Sequence, residues 1–79
     1  MSIIEKLINK IFSDLSITYR DAENLLLNLG FELKIKGSHH IFRKKGYINN
    51  IALKKRKELF SYQINQLKQV LLDHGYKKN

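Results

Sequence analysis

At Gly30 and Phe31 the spacing of apolar residues changes from that of a helix to that of a strand. Before this point apolar residues recur three and four positions apart, and after it Phe31, Leu33 and Ile35 alternate with charged residues. Glycine readily takes the left-handed backbone that ends a helix. The pattern therefore predicts a helix that stops at Gly30, a strand that follows at once, and a fold that combines both kinds of element.

Two capped amphipathic helices are predicted before Gly30. Ser2 and Glu5 have the spacing of a capping box ahead of a first helix over about residues 3–13, and Thr18 and Asp21 have the same spacing ahead of a second. Their apolar stripes are Ile4, Leu7, Ile8, Ile11, Phe12 and Leu15 in the first helix and Tyr19, Ala22, Leu25, Leu26 and Leu29 in the second.

Three strands are predicted after Gly30, because short apolar runs are separated by turn residues. Gly37 separates the first two strands, and Lys45 with Gly46 predicts a tight hairpin turn before the third. The strands cover residues 31–36, 38–44 and 47–53. The basic run 54–57 is expected to be a loop.

A final helix completes the chain. Ser61 is placed to cap it, and Gly75 is placed to end it. Its apolar positions are Ile64, Leu67, Val70 and Leu71. The expected fold class is α+β, with two helices, a three-stranded antiparallel sheet and a last helix; 79 residues provide a core for one sheet covered by helices and no large enclosed pocket.

Positive charge is concentrated in one part of the chain. Fifteen Lys and Arg against seven Asp and Glu give a net charge of +8, and the segment 34–57 contains nine basic residues and no acid. Residues 1–30 contain three basic and four acidic residues. This distribution favours a polyanionic partner, either RNA or an acidic protein, over a surface that is charged only for solubility.

The chain has no Cys, which excludes disulfides, thiolate metal sites and thiol catalysis and suits the reducing cytoplasm. No apolar run reaches the roughly 18–20 residues that cross a bilayer, and charged residues interrupt the first helix. We therefore expect a cytoplasmic protein without a signal peptide and without a membrane partner.

Two adjacent histidines, His39 and His40, lie in the predicted second strand. Successive strand residues point to opposite faces, so the pair cannot join a single metal site, and no metal or other cofactor is expected. If Phe42 faces the helices, Ser38 and His40 share its side, while His39, Ile41 and Arg43 lie on the open face. An imidazole with a pKa near ~6.5 can take the proton from a ribose 2′-OH; the alternative is that His39 only contacts phosphate or solvent.

The segments Leu29-Gly30-Phe31 and Lys36-Gly37-Ser38-His39-His40-Ile41-Phe42, with the basic loop and the final helix ending at Gly75, resemble the HicA family of toxin ribonucleases. The resemblance covers about residues 18–76. It implies a fold like the double-stranded RNA-binding domain over residues 18–79, with residues 1–17 as an N-terminal helical extension. It also implies cleavage of mRNA and inhibition by a cognate HicB-like antitoxin.

The resemblance implies His39 as the catalytic residue of a metal-independent reaction. The residues expected to bind RNA around it are Lys36, Gly37, Ser38, Arg43, Lys44, Lys54, Lys55 and Arg56. Two other functions fit the same features: a non-catalytic RNA-binding module, and an inactive toxin homologue that only binds its antitoxin.

Overall fold

The computed structural model describes residues 2–54 and 58–77, and it has the expected α+β architecture and element order. The elements are α1 (Ile3–Phe12), α2 (Tyr19–Asn28), β1 (Glu32–Lys36), β2 (His39–Arg43), β3 (Ile51–Lys54) and α3 (Ser61–Asp73). The strands form one antiparallel sheet in the order β1-β2-β3. Within the described ranges, no helix has both the length and the apolar character needed to cross a membrane.

The first two helices begin where the capping spacing predicts. The Ser2 hydroxyl accepts a hydrogen bond from the Glu5 N–H at 3.1 Å. At α2 the box is reciprocal, because Thr18 accepts from the Asp21 N–H at 3.1 Å and the Asp21 carboxylate accepts from the Thr18 N–H at 3.2 Å. These bonds satisfy amides that a helix start otherwise leaves without a partner.

Gly30 ends α2 as predicted. Its φ of +97° is in the left-handed region, and the N–H of Phe31 then reaches back to the carbonyl oxygen of Leu26 at 3.0 Å. The N–H of Gly30 bonds the carbonyl oxygen of Leu27 at 3.1 Å, which completes a Schellman motif. The chain thus turns directly from α2 into β1 and buries the Phe31 ring.

All three helices contribute to one hydrophobic core on one face of the sheet. Phe42 of β2 is completely buried there, as predicted. The first helix packs on the rest of the chain and faces α3 and α2. It contributes Leu7, Ile8, Ile11 and Phe12 to the core. An ion pair between Asp14 and Lys68 joins the segment after α1 to α3.

Two predicted core positions are wrong. Leu15 is 53% exposed, because α1 ends at Phe12 and the chain no longer follows the helical stripe. Ile35 is 60% exposed although it lies on the inner face of the sheet. It is near the end of β1, an edge strand, and the helical layer does not extend over it.

The third strand is shorter than predicted. It covers Ile51–Lys54, so residues 47–50 belong to a connection and Lys54 is strand rather than loop. A turn does form at Lys45 and Gly46, with the Tyr47 N–H bonded to the Lys44 carbonyl oxygen at 3.0 Å. The Tyr47 side chain then packs against Phe31 instead of entering the sheet. Residues 55–57, the rest of the predicted basic loop, lie outside the described residues.

The cap of the final helix differs from the prediction by one position. Ser61 is the first helical residue, and the N-cap is Phe60. The Gln63 side-chain oxygen accepts a hydrogen bond from the Phe60 N–H at 2.8 Å. This contact supplies half of a capping box. Because Phe60 has no hydroxyl, the usual preference for Ser, Thr, Asp or Asn at the N-cap does not identify it.

Candidate nucleic-acid interface

Strand pairing places His39 in a row with two basic side chains. His39 lies opposite Lys36 of β1 on one side and opposite Lys54 of β3 on the other. Directly paired residues project from the same face of an antiparallel sheet, with Cβ atoms about 4.5–5.5 Å apart. All three side chains are exposed, so the imidazole faces solvent between two lysines on the face away from the helices.

The open face continues this positive surface along the strands. Alternation puts Ile41 and Arg43 on the same side as His39, as predicted. Their partners on the neighbouring strands are Lys34, Ala52 and Glu32. The described part of this face therefore carries one acid against four Lys and Arg, and its field attracts anions.

The turn beside His39 consists of Gly37 and Ser38 alone, because Lys36 pairs directly with His39. Gly37 has a φ of +58°, the positive value expected at the first central residue of a type II′ hairpin turn. A Cβ at Gly37 would meet no atom within 4 Å, and Ser38 is exposed. A ligand can approach this end of the hairpin closely.

His40 has different surroundings on the inner face. Its Nδ1 lies 2.6 Å from the Tyr19 hydroxyl, and the two rings meet edge to face with centroids 5.0 Å apart. The Tyr19 hydroxyl donates to the Glu23 carboxylate at 3.1 Å. With the hydroxyl proton directed to Glu23, the tyrosine oxygen can accept a hydrogen bond from an Nδ1–H of His40.

Burial and the contact with Glu23 disfavour ionisation of the Tyr19 hydroxyl. Burial, together with the hydrogen bond to Glu23 and the charge of that carboxylate, raises the pKa of Tyr19 well above its ordinary value. Apolar spacing indicates Tyr19 only as a core residue. The four-residue spacing from Tyr19 to Glu23 on α2 was a usable signal, whereas the contact with His40 depends on how α2 lies on the sheet.

Among the predicted RNA-binding residues, Lys36, Gly37, Ser38 and Lys54 surround His39. Arg43 lies on the same face at the other end of β2, four residues or about 13 Å along the strand. Lys55 and Arg56 lie outside the described residues.

Lys44 is placed differently from the other predicted RNA-binding lysines. Its Nζ donates to Nε2 of His74 at 2.9 Å and lies 5.9 Å from the centre of the Phe31 ring. Nδ1 of His74 donates to the Val70 carbonyl oxygen at 2.7 Å, so Nε2 is the free acceptor. The Lys44 ammonium therefore binds at the C-terminal ends of α2 and α3, where helix dipoles favour a cation.

Tyr47 anchors the connection before β3 near the C-terminal ends of α2 and α3. Its ring contacts Phe31 and His74 at centroid distances of 5.6 and 5.3 Å, and its hydroxyl donates to the Asp73 carboxylate at 2.5 Å. Burial, then the bond to Asp73 and the charge of that carboxylate, raises the pKa of Tyr47 to about 12. The hydroxyl of Tyr47 and then the amide of Gln69 lower the pKa of Asp73 below its ordinary value.

A shallow groove of about 940 Å³ lies at the end of the sheet away from His39. It runs between the paired residues Glu32 and Arg43 and the connection before β3. Its lining residues are Gly30, Glu32, Leu33, Lys34, Arg43, Lys44, Lys45, Tyr47, Ile48 and Asn50. We call it the distal groove; sequence patterns gave no indication of it.

The described residues gather no cluster of three or more His, Cys, Asp or Glu side chains that could hold a metal ion. On the described part of the open face, the side chain suited to acid–base chemistry is the imidazole of His39.

Comparisons of this chain with family models, with curated proteins and with solved structures give no match.

Proposed function

We propose that this chain is a HicA-like toxin, a metal-independent endoribonuclease that cleaves mRNA in the cytoplasm and is inhibited by a HicB-like antitoxin. The observation that carries the proposal is the exposed imidazole of His39 between Lys36 and Lys54 on an open, positively charged sheet face. The order of elements after α1 fits the double-stranded RNA-binding-domain-like arrangement that the resemblance implies.

In the proposed reaction, His39 takes the proton from a ribose 2′-OH. The 2′-oxygen forms a bond to the adjacent phosphorus, the bond from phosphorus to the 5′-oxygen breaks, and the leaving 5′-oxygen takes a proton from water. Lys36 and Lys54 flank the imidazole and stabilise the charge that develops on the phosphoryl oxygens. The products are a 2′,3′-cyclic phosphate and a 5′-hydroxyl.

The partners follow from the same surface. The net charge of +8 favours a polyanion such as RNA, bound through phosphate contacts, and a small acidic protein that covers the His39 row would block access to the imidazole. An adjacent reading frame encoding such a protein is the expected source of the antitoxin.

A second candidate function is a non-catalytic RNA-binding module. One observation favours it: within residues 2–54 and 58–77, His39 has no hydrogen-bonded partner that would fix its ring, whereas histidines that act as bases are commonly oriented by a third group. In that case His39 only contacts the bound strand. An inactive homologue that binds only its antitoxin would lack RNA affinity as well.

Single-turnover cleavage of RNA by the His39→Ala protein tests the proposal. Loss of the proton acceptor should lower the rate by about 10²–10⁴, with little change in the melting temperature because the side chain is exposed. Cleavage by the parent should survive EDTA and fail on RNA with a 2′-deoxy sugar at the scissile position.

His40→Ala is the matched control. It removes the partner of Tyr19, so it should lower the melting temperature while the folded fraction cleaves at the parent rate. Parent-like cleavage by His39→Ala would refute the catalytic role, and a parent that binds RNA but never cleaves it would support the binding module.

A further inference from the structure

The distal groove has the charge and size of a site for one nucleotide. Four cations line it against one acid, Glu32: Lys34 and Arg43 from the open face, and Lys44 and Lys45 from the segment that follows β2. Within the described residues none of the four is ion-paired, since the ion pair found there joins Asp14 and Lys68. The volume of about 940 Å³ lies within the range of ligand clefts.

The opposite wall combines an apolar surface with an amide. Ile48 is 95% exposed and Asn50 is exposed, and both line the groove. Tyr47 holds this wall in place through its contacts with Phe31, His74 and Asp73. An isoleucine kept in water on an anchored segment is a suitable surface for a flat base, and an Asn amide can pair with the edge of a base.

We propose that the distal groove binds a nucleotide of the same RNA strand that His39 cleaves, at a position removed from the scissile bond. Arg43 and Lys45 bind its phosphate, Ile48 contacts the face of its base, and Asn50 bonds the base edge. The inference rests on the proposed function for the identity of the strand. Because the groove lies about 13 Å along β2 from His39, this contact selects substrates by the sequence that flanks the cleavage site.

Binding to a non-cleavable oligoribonucleotide, with a 2′-O-methyl group at the scissile position, measures the contribution of the groove. Ile48→Ala should weaken binding about tenfold, since the branched side chain no longer covers the base. Asn50→Ala should reduce the difference in affinity between oligonucleotides that differ in the flanking base. Ile3→Ala, an exposed isoleucine on α1, is the control and should bind as the parent does.

Titration of the parent with uridine and adenosine 5′-monophosphates, followed by amide NMR shifts, separates this inference from the proposed function. Shifts at Tyr47, Ile48 and Asn50 support the groove even if the protein never cleaves RNA. Parent-like affinity of Ile48→Ala and Asn50→Ala, or nucleotide shifts confined to the His39 row, would overturn it. So would an effect of these variants on binding of an acidic protein but not of RNA.

Discussion

His39 and His40 are neighbours in sequence with opposite surroundings. Strand alternation was sufficient to predict that His39 faces outward and His40 inward. The partners of His40 could not be predicted, because Tyr19 is 21 residues away and nothing in a local pattern fixes how α2 lies over the sheet. The contact between Lys44 and His74, 30 residues apart, was missed for the same reason.

Replacing Tyr47 by phenylalanine should raise the pKa of Asp73 toward 3.8, because the hydroxyl is the main group that lowers it. The folded-state pKa of Asp73 lies below that of the unfolded chain, so its stabilising effect is present above about pH 3.8 and is lost as pH falls through the folded value. The difference in stability between parent and variant should therefore shrink in acid. Carboxyl NMR titration and acid unfolding measure the two effects.

At alkaline pH, ionisation of Tyr47 changes the stability in the opposite direction. The pKa of Tyr47 is raised from 10.0 to about 12 in the folded protein, so its contribution is present below pH 10 and is lost as pH rises toward 12. The Tyr47→Phe protein should lack this loss. Tyr62→Phe, at an exposed tyrosine, should leave the Asp73 titration unchanged; an unchanged Asp73 titration in Tyr47→Phe itself would contradict the role of the hydroxyl.

At the level of elements, apolar spacing predicted the type and order of all six, while the Thr18–Asp21 spacing and Gly30 predicted where α2 begins and ends. It failed where tertiary contacts override local pattern. Ile and Tyr residues after Gly46 favour a strand, but packing of Tyr47 on Phe31 diverts the chain until Ile51. Likewise the stripe that predicts burial of Leu15 continues past the end of its helix.

Two α1 residues test how much the first helix contributes to stability. Ile11 is completely buried whereas Leu15 is exposed, although spacing places them on one stripe. Ile11→Ala should destabilise the protein by about 2–5 kcal/mol, as typical for a core cavity. Leu15→Ala should change stability by no more than about 0.5 kcal/mol. Denaturant unfolding measures both.

If Ile11→Ala does not fold, Ile11→Val supplies a milder version, with an expected cost of about 0.5–1.5 kcal/mol. Equal stabilities of the Ile11 and Leu15 variants would mean that α1 is not part of the cooperative fold.

For the whole molecule, the charge map read from the sequence agrees with the fold. The basic segment 34–57 supplies most of the open face, while four of the seven acids lie in residues 1–30, which hold α1 and α2. The distal groove could not be predicted, since it forms only where the ends of two strands meet a connection anchored to α3.

RNA affinity should fall steeply with salt, with a logarithmic slope of roughly −0.7 for each phosphate contacted on a single strand. Lys36→Ala and Lys54→Ala should each reduce that slope by about one contact. Lys10→Ala, at an exposed position on α1, should not. Fluorescence anisotropy at several salt concentrations measures the slope, and a salt-independent affinity would be inconsistent with binding through the open face.

The two-residue turn between Lys36 and His39 leaves the hairpin no spare residue. An insertion that slipped β2 by one position would exchange its two faces. An imidazole would still project from each face, because the two neighbours are the same residue type, but Phe42 would leave the core. A change of turn length would therefore destabilise the fold through loss of Phe42 burial and not through loss of a histidine. Selection for folding alone would preserve the register that exposes His39.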